Sequence, residues 1–325
     1  MNCRDDLVKY YSQCKKYAPH VVEFVRDLSR NHDFATKPVV ITKALDMDGA
    51  FLRDAERFVG AALLQFLAHS HLDTGGYITW AEVTRYYSRF FGVTAFTRLL
   101  GYATFWLSEW KDFKRGKGRQ FWVVRANDET HDYLIGYKSG IPKAVKELPR
   151  PLPYKIPSGS GSHNTIWNLS AEICRTWSRE ELLYEAALPA PEDTTIFPDL
   201  WGTYEERMLE ELNQRSRFNY LGEEIGYFFG ELDGLNRWRQ DGFWPGSYYP
   251  NPISEEAPME DTYEHKMAWS MIRYLITILV KTPAKHAIKT YIELIRRAPA
   301  NEEMKSQIDT ELRAILEDSA ESHQE

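Results

Sequence analysis

The chain has 325 residues, a net charge of −7 and 43% hydrophobic residues, enough for one large domain or two modest ones with a real core. Its 27% charged residues and ordinary Gly and Pro content exclude a disordered or collagen-like chain. The acidic balance excludes a uniformly basic nucleic-acid coat, while 45 aromatic residues are more than the average protein carries.

The N-terminus, Met1-Asn2-Cys3-Arg4-Asp5-Asp6, is polar and opens no secretory signal. Apolar residues at three- and four-residue steps, from Leu7 and Tyr10 to Leu28, predict an amphipathic helix over 4–31, which Pro19 kinks or splits. Phe51, Leu52, Ala55, Phe58, Val59, Ala62, Leu63, Phe66 and Leu67 form one broad apolar stripe, so 50–71 is the clearest helix. Gly75-Gly76 ends it, and Thr79 with Glu82 gives a capping box for a second long helix from Trp80 to about Leu107.

The period then changes. Gln120-Phe121-Trp122-Val123-Val124 and His131-Asp132-Tyr133-Leu134-Ile135-Gly136-Tyr137 are β-prone, with a turn-rich stretch between them. They predict a β-hairpin inserted near 119–137. Five prolines and Ser158-Gly159-Ser160-Gly161-Ser162 make 138–165 a linker. Helices resume at about 167–187, 202–214 and 216–233. An aromatic, Pro-rich loop follows at 241–258. Three C-terminal helices are expected at about 261–281, 284–297 and 301–318. The most apolar late stretch, 267–280, is short and holds Arg273, so no membrane span is expected.

Charge is uneven. From Lys111 to Lys155 there are eleven Lys/Arg against five Asp/Glu, and from Glu180 to Asp261 five against nineteen. Lys111, Lys114, Arg115, Lys117, Arg119 and Arg125 are the candidate nucleic-acid contacts. The alternative is that the two regions face each other or water. Phe243, Trp244, Tyr248 and Tyr249 in the 241–258 loop either clamp the helical body or present aromatics to a partner.

Common catalytic motifs are missing: no phosphate-cradling GxxxxGK[ST], no HExxH, no GxSxG and no EF-hand loop. Cys3, Cys14 and Cys174 form no CxxC pair and read as reduced thiols, which points to the cytoplasm. His69 and His71 face opposite sides of a helix and are not expected to share a metal. Neither metal nor cofactor is expected. Arg125 and His131, like Arg26 and His32, stand at a spacing that can supply a phosphate binder and a general acid/base. Chance spacing explains both pairs as well.

The segment Gly76-Tyr77-Ile78-Thr79-Trp80-Ala81-Glu82-Val83-Thr84-Arg85-Tyr86-Tyr87-Ser88-Arg89-Phe90-Phe91 runs on to Ala95 and Leu99-Leu100. It follows the small-residue helix Glu56-Arg57-Phe58-Val59-Gly60-Ala61-Ala62. This pair resembles the first two helices of the HEPN-like superfamily. Asn213-Gln214-Arg215-Ser216-Arg217-Phe218-Asn219-Tyr220 is similar to the start of that family's last bundle helix. The resemblance implies a four-helix bundle, often dimeric, used by ribonucleases of toxin–antitoxin and phage-defence systems and by non-catalytic relatives. Active members carry Arg-x4–6-His, and here no histidine follows Arg217. Either Tyr220 and Glu223 substitute beside Arg217, or the bundle is inert.

The expectation is therefore a mainly α protein. An N-terminal helix (1–45) precedes a HEPN-like bundle (46–240) with its hairpin. The aromatic loop (241–258) and a C-terminal helical subdomain (259–325) follow. A non-enzymatic interaction protein with a protein partner is the first functional expectation. A HEPN-like ribonuclease or nucleic-acid-binding effector using Arg217 is the second, and an unrecognised metal-dependent enzyme the third. A homodimer fits the resemblance.

Overall fold

The computed structural model describes residues 3–14, 19–29, 37–75, 78–107, 119–137, 141–146, 148, 165–166, 169 and 263–321. The fold is mainly α, with one small antiparallel sheet. Two short helices, α1 (Cys3–Tyr11) and α2 (Val21–Leu28), replace the single N-terminal helix, with Pro19 in the break.

The centre is an antiparallel pair of long helices, α3 (Leu45–Thr74) and α4 (Ile78–Leu99). The expected stripe on α3 is its buried face: Phe51, Leu52, Ala55, Val59, Ala62, Leu63, Phe66 and Leu67 are all buried. Ser88 on α4 donates to the Ala62 carbonyl at 3.0 Å, which draws the two helices together.

The α4 helix stops at Leu99, eight residues before the expected end. Gly101, at φ +74°, turns the chain into β2 (Tyr102–Leu107). A left-handed residue ends a helix, and glycine adopts that conformation without a Cβ clash. The aromatic-rich run that follows satisfies its backbone in a sheet.

The expected hairpin is present as β3 (Arg119–Asn127) and β4 (Asp132–Tyr137). It is the middle of a larger sheet, since β1 (Val39–Ile41) joins β4 and β2 joins β3, in the order β1-β4-β3-β2. One sheet face lies on α3, where the Tyr133 and Phe51 rings stack at 5.2 Å. The short α5 (Ile141–Val145) follows β4.

The C-terminal helices are α6 (Tyr263–Leu279), α7 (Ala287–Arg297) after a 3-10 turn at Pro283–His286, and α8 (Glu302–Glu321). They lie where the apolar periodicity places them. Trp269 on α6 meets Phe66 on α3, and the Tyr291 hydroxyl on α7 donates to the Glu56 carbonyl. The described buried residues form one core spanning α1 to α8. No helix among the described residues is long and apolar enough to cross a membrane.

Candidate functional site

Asp48 lies in the first turn of α3 and is completely buried. A buried carboxylate is costly unless donors surround it. Three are present. The hydroxyls of Tyr10 and Tyr133 both donate to Oδ1 at 2.5 Å, and His131 Nδ1 lies 2.7 Å from Oδ2. A carboxylate only accepts, so His131 carries its proton on Nδ1. These donors come from α1, β4 and the β3–β4 turn. One side chain on the central helix therefore ties the N-terminal helix and the sheet together.

Arg125 on β3 forms the second layer. Its Nη2 donates to the Tyr11 hydroxyl at 2.6 Å and to the Leu99 carbonyl at 3.0 Å. Its guanidinium carbon lies 3.7 Å from the Tyr10 ring centre. Tyr11 in turn donates to the Leu99 carbonyl at 2.8 Å. Gly101 leaves room for this arginine: a Cβ there would come within 2.5 Å of the Arg125 Cβ.

Burial pushes the Tyr10, Tyr11 and Tyr133 hydroxyls well above the usual phenol range, and Arg125 opposes the shift. Nearby Asp48 adds to the upward push. These tyrosines stay protonated and act as donors. The buried Cys14 thiol is pushed up to about 12 by burial, with Asp48 adding to the shift. It is a thiol rather than a nucleophilic thiolate at neutral pH.

His131 is partly open, at 20% exposure. Its ring lies 4.8 Å from that of Tyr10. Its backbone has φ +53°, as does that of Lys43, and these are the two non-glycine residues with positive φ among those described. The Ala44 N–H donates to the His131 carbonyl at 2.8 Å, and the Lys43 N–H to Asp132 Oδ1 at 3.0 Å. The two strained residues are thus stitched together beside Asp48.

A second carboxylate on α3 repeats the pattern. Asp54 Oδ1 lies 2.7 Å from His20 Nδ1 at the start of α2, and Oδ2 lies 3.5 Å from Arg98 Nε on α4. Burial pulls the Arg98 guanidinium down, while Asp54 opposes that shift. Arg98 Nη1 also donates to the Tyr102 carbonyl, which fastens the turn from α4 into β2.

The expected sites fare differently. Arg125, expected on a nucleic-acid surface, is instead 6% exposed and committed to Tyr11 and Leu99. The arginine shares a sheet face with its register partner Tyr133, whose ring stacks on Phe51 of α3. Arg125 and His131 do come together, both against the Tyr10 ring. Arg119 opens β3 opposite Leu107. Lys111, Lys114, Arg115, Lys117, Arg217, Tyr220, Glu223, Phe243, Trp244, Tyr248 and Tyr249 lie outside the described residues, as does His32.

His69 is buried, and its Nδ1–H donates to the Ala81 carbonyl at 2.9 Å, while His71 is exposed. Among the described residues no three His, Cys, Asp or Glu side chains converge as metal ligands. Asp48 carried no local signal in the sequence. Its partners lie 38, 83 and 85 residues away. An acidic residue in line with the apolar stripe of α3 was the one available hint.

The chain matches no protein-family model, no curated protein and no solved structure.

Proposed function

We propose that the chain is a non-enzymatic helical interaction protein. The carrying observation is that Asp48 is fully buried, with both oxygens taken by three donors from the protein itself. A carboxylate saturated in this way holds elements in place. Arg125, over the Tyr10 ring, is likewise committed inward. Polar groups that in an active site would meet substrate are here used to assemble a rigid body. The resemblance to HEPN-like bundles supports the setting: a partner-recruiting component of a defence or toxin system, related to the non-catalytic members.

The test is incubation of the purified chain with total RNA and with single-stranded DNA, with and without divalent metal. His131→Ala and Arg217→Ala variants run alongside. The proposal expects no cleavage by any of the three proteins. Cleavage by the wild type that either variant abolishes would overturn it in favour of an acid–base nuclease.

A further inference from the structure

The burial pattern of α7 leaves one side of the helix to solvent. Ala287, Ile288, Tyr291, Ile292 and Ile295 are buried in the core, while Lys289, Arg296 and Arg297 are exposed. Exposed Lys285 and His286 extend this outer side into the 3-10 turn, which runs on into α7 because His286 and Ala287 both have right-handed helical backbone. Five basic side chains thus lie along one exposed face. Between Glu264 and Glu293 the chain has no acidic residue, although its net charge is −7.

The fold itself leaves most of this charge unused. Arg297 meets Glu293 at 2.7 Å, and Arg296 lies 4.0 Å from Asp309, which already pairs with Arg313 at 2.9 Å. Lys285, His286 and Lys289 form no ion pair among the described residues. They gather at the start of α7, and neither the 3-10 turn nor the helix carries an acidic residue in its first turn. The N-terminal end of a helix bears partial positive charge, so cations there are repelled by it as well as by one another. An external anion relieves both.

The chemistry of the face selects its occupant. A protein interface has an apolar centre, and a helix lying on a membrane inserts large apolar side chains. The exposed large hydrophobic residues among those described are Val40, Leu45 and Leu64, none of them on α7. Binding of a nucleic-acid single strand relies on aromatic side chains that stack on bases, and the one aromatic of α7, Tyr291, is buried. A duplex asks for less, since its phosphate backbone is held by Lys and Arg without any reading of bases. We propose that the outer face of α7, with its leading turn, docks on the phosphate backbone of a nucleic-acid duplex without sequence preference. The inference goes beyond the interaction reading above, which turns on cleavage and not on binding.

The probe is a fluorescein-labelled DNA duplex of about 20 base pairs, and binding to the full chain is read by fluorescence polarisation across a salt series. The wild type should bind duplexes of two unrelated sequences alike at low salt, with log Kd rising linearly with log salt. The Lys285→Glu/Lys289→Glu double variant changes only exposed side chains. It should weaken binding by about tenfold or more and lower the salt slope by about 2. Lys143→Glu/Lys146→Glu makes the same change of charge at two exposed lysines of the α5 region and should keep most of the affinity. No binding at low salt, unchanged binding in the α7 variant, or an equal loss in the α5 variant would overturn the docking face. Competition by poly-glutamate as strong as that by unlabelled duplex would overturn it too, by giving the face to an acidic protein. Nucleic-acid cleavage would instead overturn the interaction reading, so the two failures are told apart.

Discussion

At the scale of single residues, Gly101 and His69 each hold a position that one substitution tests. Gly101 combines φ +74° with direct packing on Arg125. Alanine there meets both a backbone penalty and a clash with a side chain that is itself committed. Gly101→Ala should therefore destabilise the protein by about 2–4 kcal/mol in urea unfolding. His69 is a buried histidine pulled down to about 4 by burial. It is neutral in the folded protein across the range in which an unfolded histidine, near 6.5, takes up a proton. Its contribution is therefore fully present above about pH 6.5 and is lost as pH falls toward 4. The loss is on the order of 3 kcal/mol over that window. Unfolding free energies of the wild type and His69→Asn at pH 7.5 and 4.5 check this. The pH-dependent drop should be smaller in the variant by that amount.

At the scale of elements, small residues set the close approaches. Gly60 on α3 faces the Tyr291 ring of α7, 3.0 Å from where a Cβ would stand. Tyr291 is fixed there by its hydroxyl bond to the Glu56 carbonyl. Gly60→Val should push α7 outward and cost about 1–3 kcal/mol. Hydrogen exchange should then show lost protection in α7, with the amides of β3 unchanged.

Sequence reasoning read these elements unevenly, for physical reasons. The helices of the C-terminal third and the stripe on α3 repeat an apolar period over many residues, so their positions were legible. β2 was read as helix because Tyr102-Ala103-Thr104-Phe105-Trp106-Leu107 is an apolar run too short to show a period. The three residues of β1 carry even less pattern, and only pairing with β4 makes them a strand. The direction of Arg125 was missed because charge alone suggests exposure. Both faces of β3 are buried from Gln120 to Arg125, so alternation leaves no outward side there, and Arg125 shares the face of Tyr133 against α3.

At the scale of the molecule, two carboxylates six positions apart on one helix organise the periphery. Asp48 holds α1 and the sheet, while Asp54 holds the start of α2 and, through Arg98, the turn into β2. This site was the least legible part, because hydrogen bonds spanning 34 to 85 residues leave no motif. The most direct measurement of this account is the unfolding free energy of Asp48→Asn, which keeps size and shape but sets an amide among donors. The account predicts a loss of about 3 kcal/mol, with hydrogen-exchange protection reduced in α1 and in the β3–β4 turn together. Unchanged stability, or a loss of protection confined to one of those elements, would contradict it.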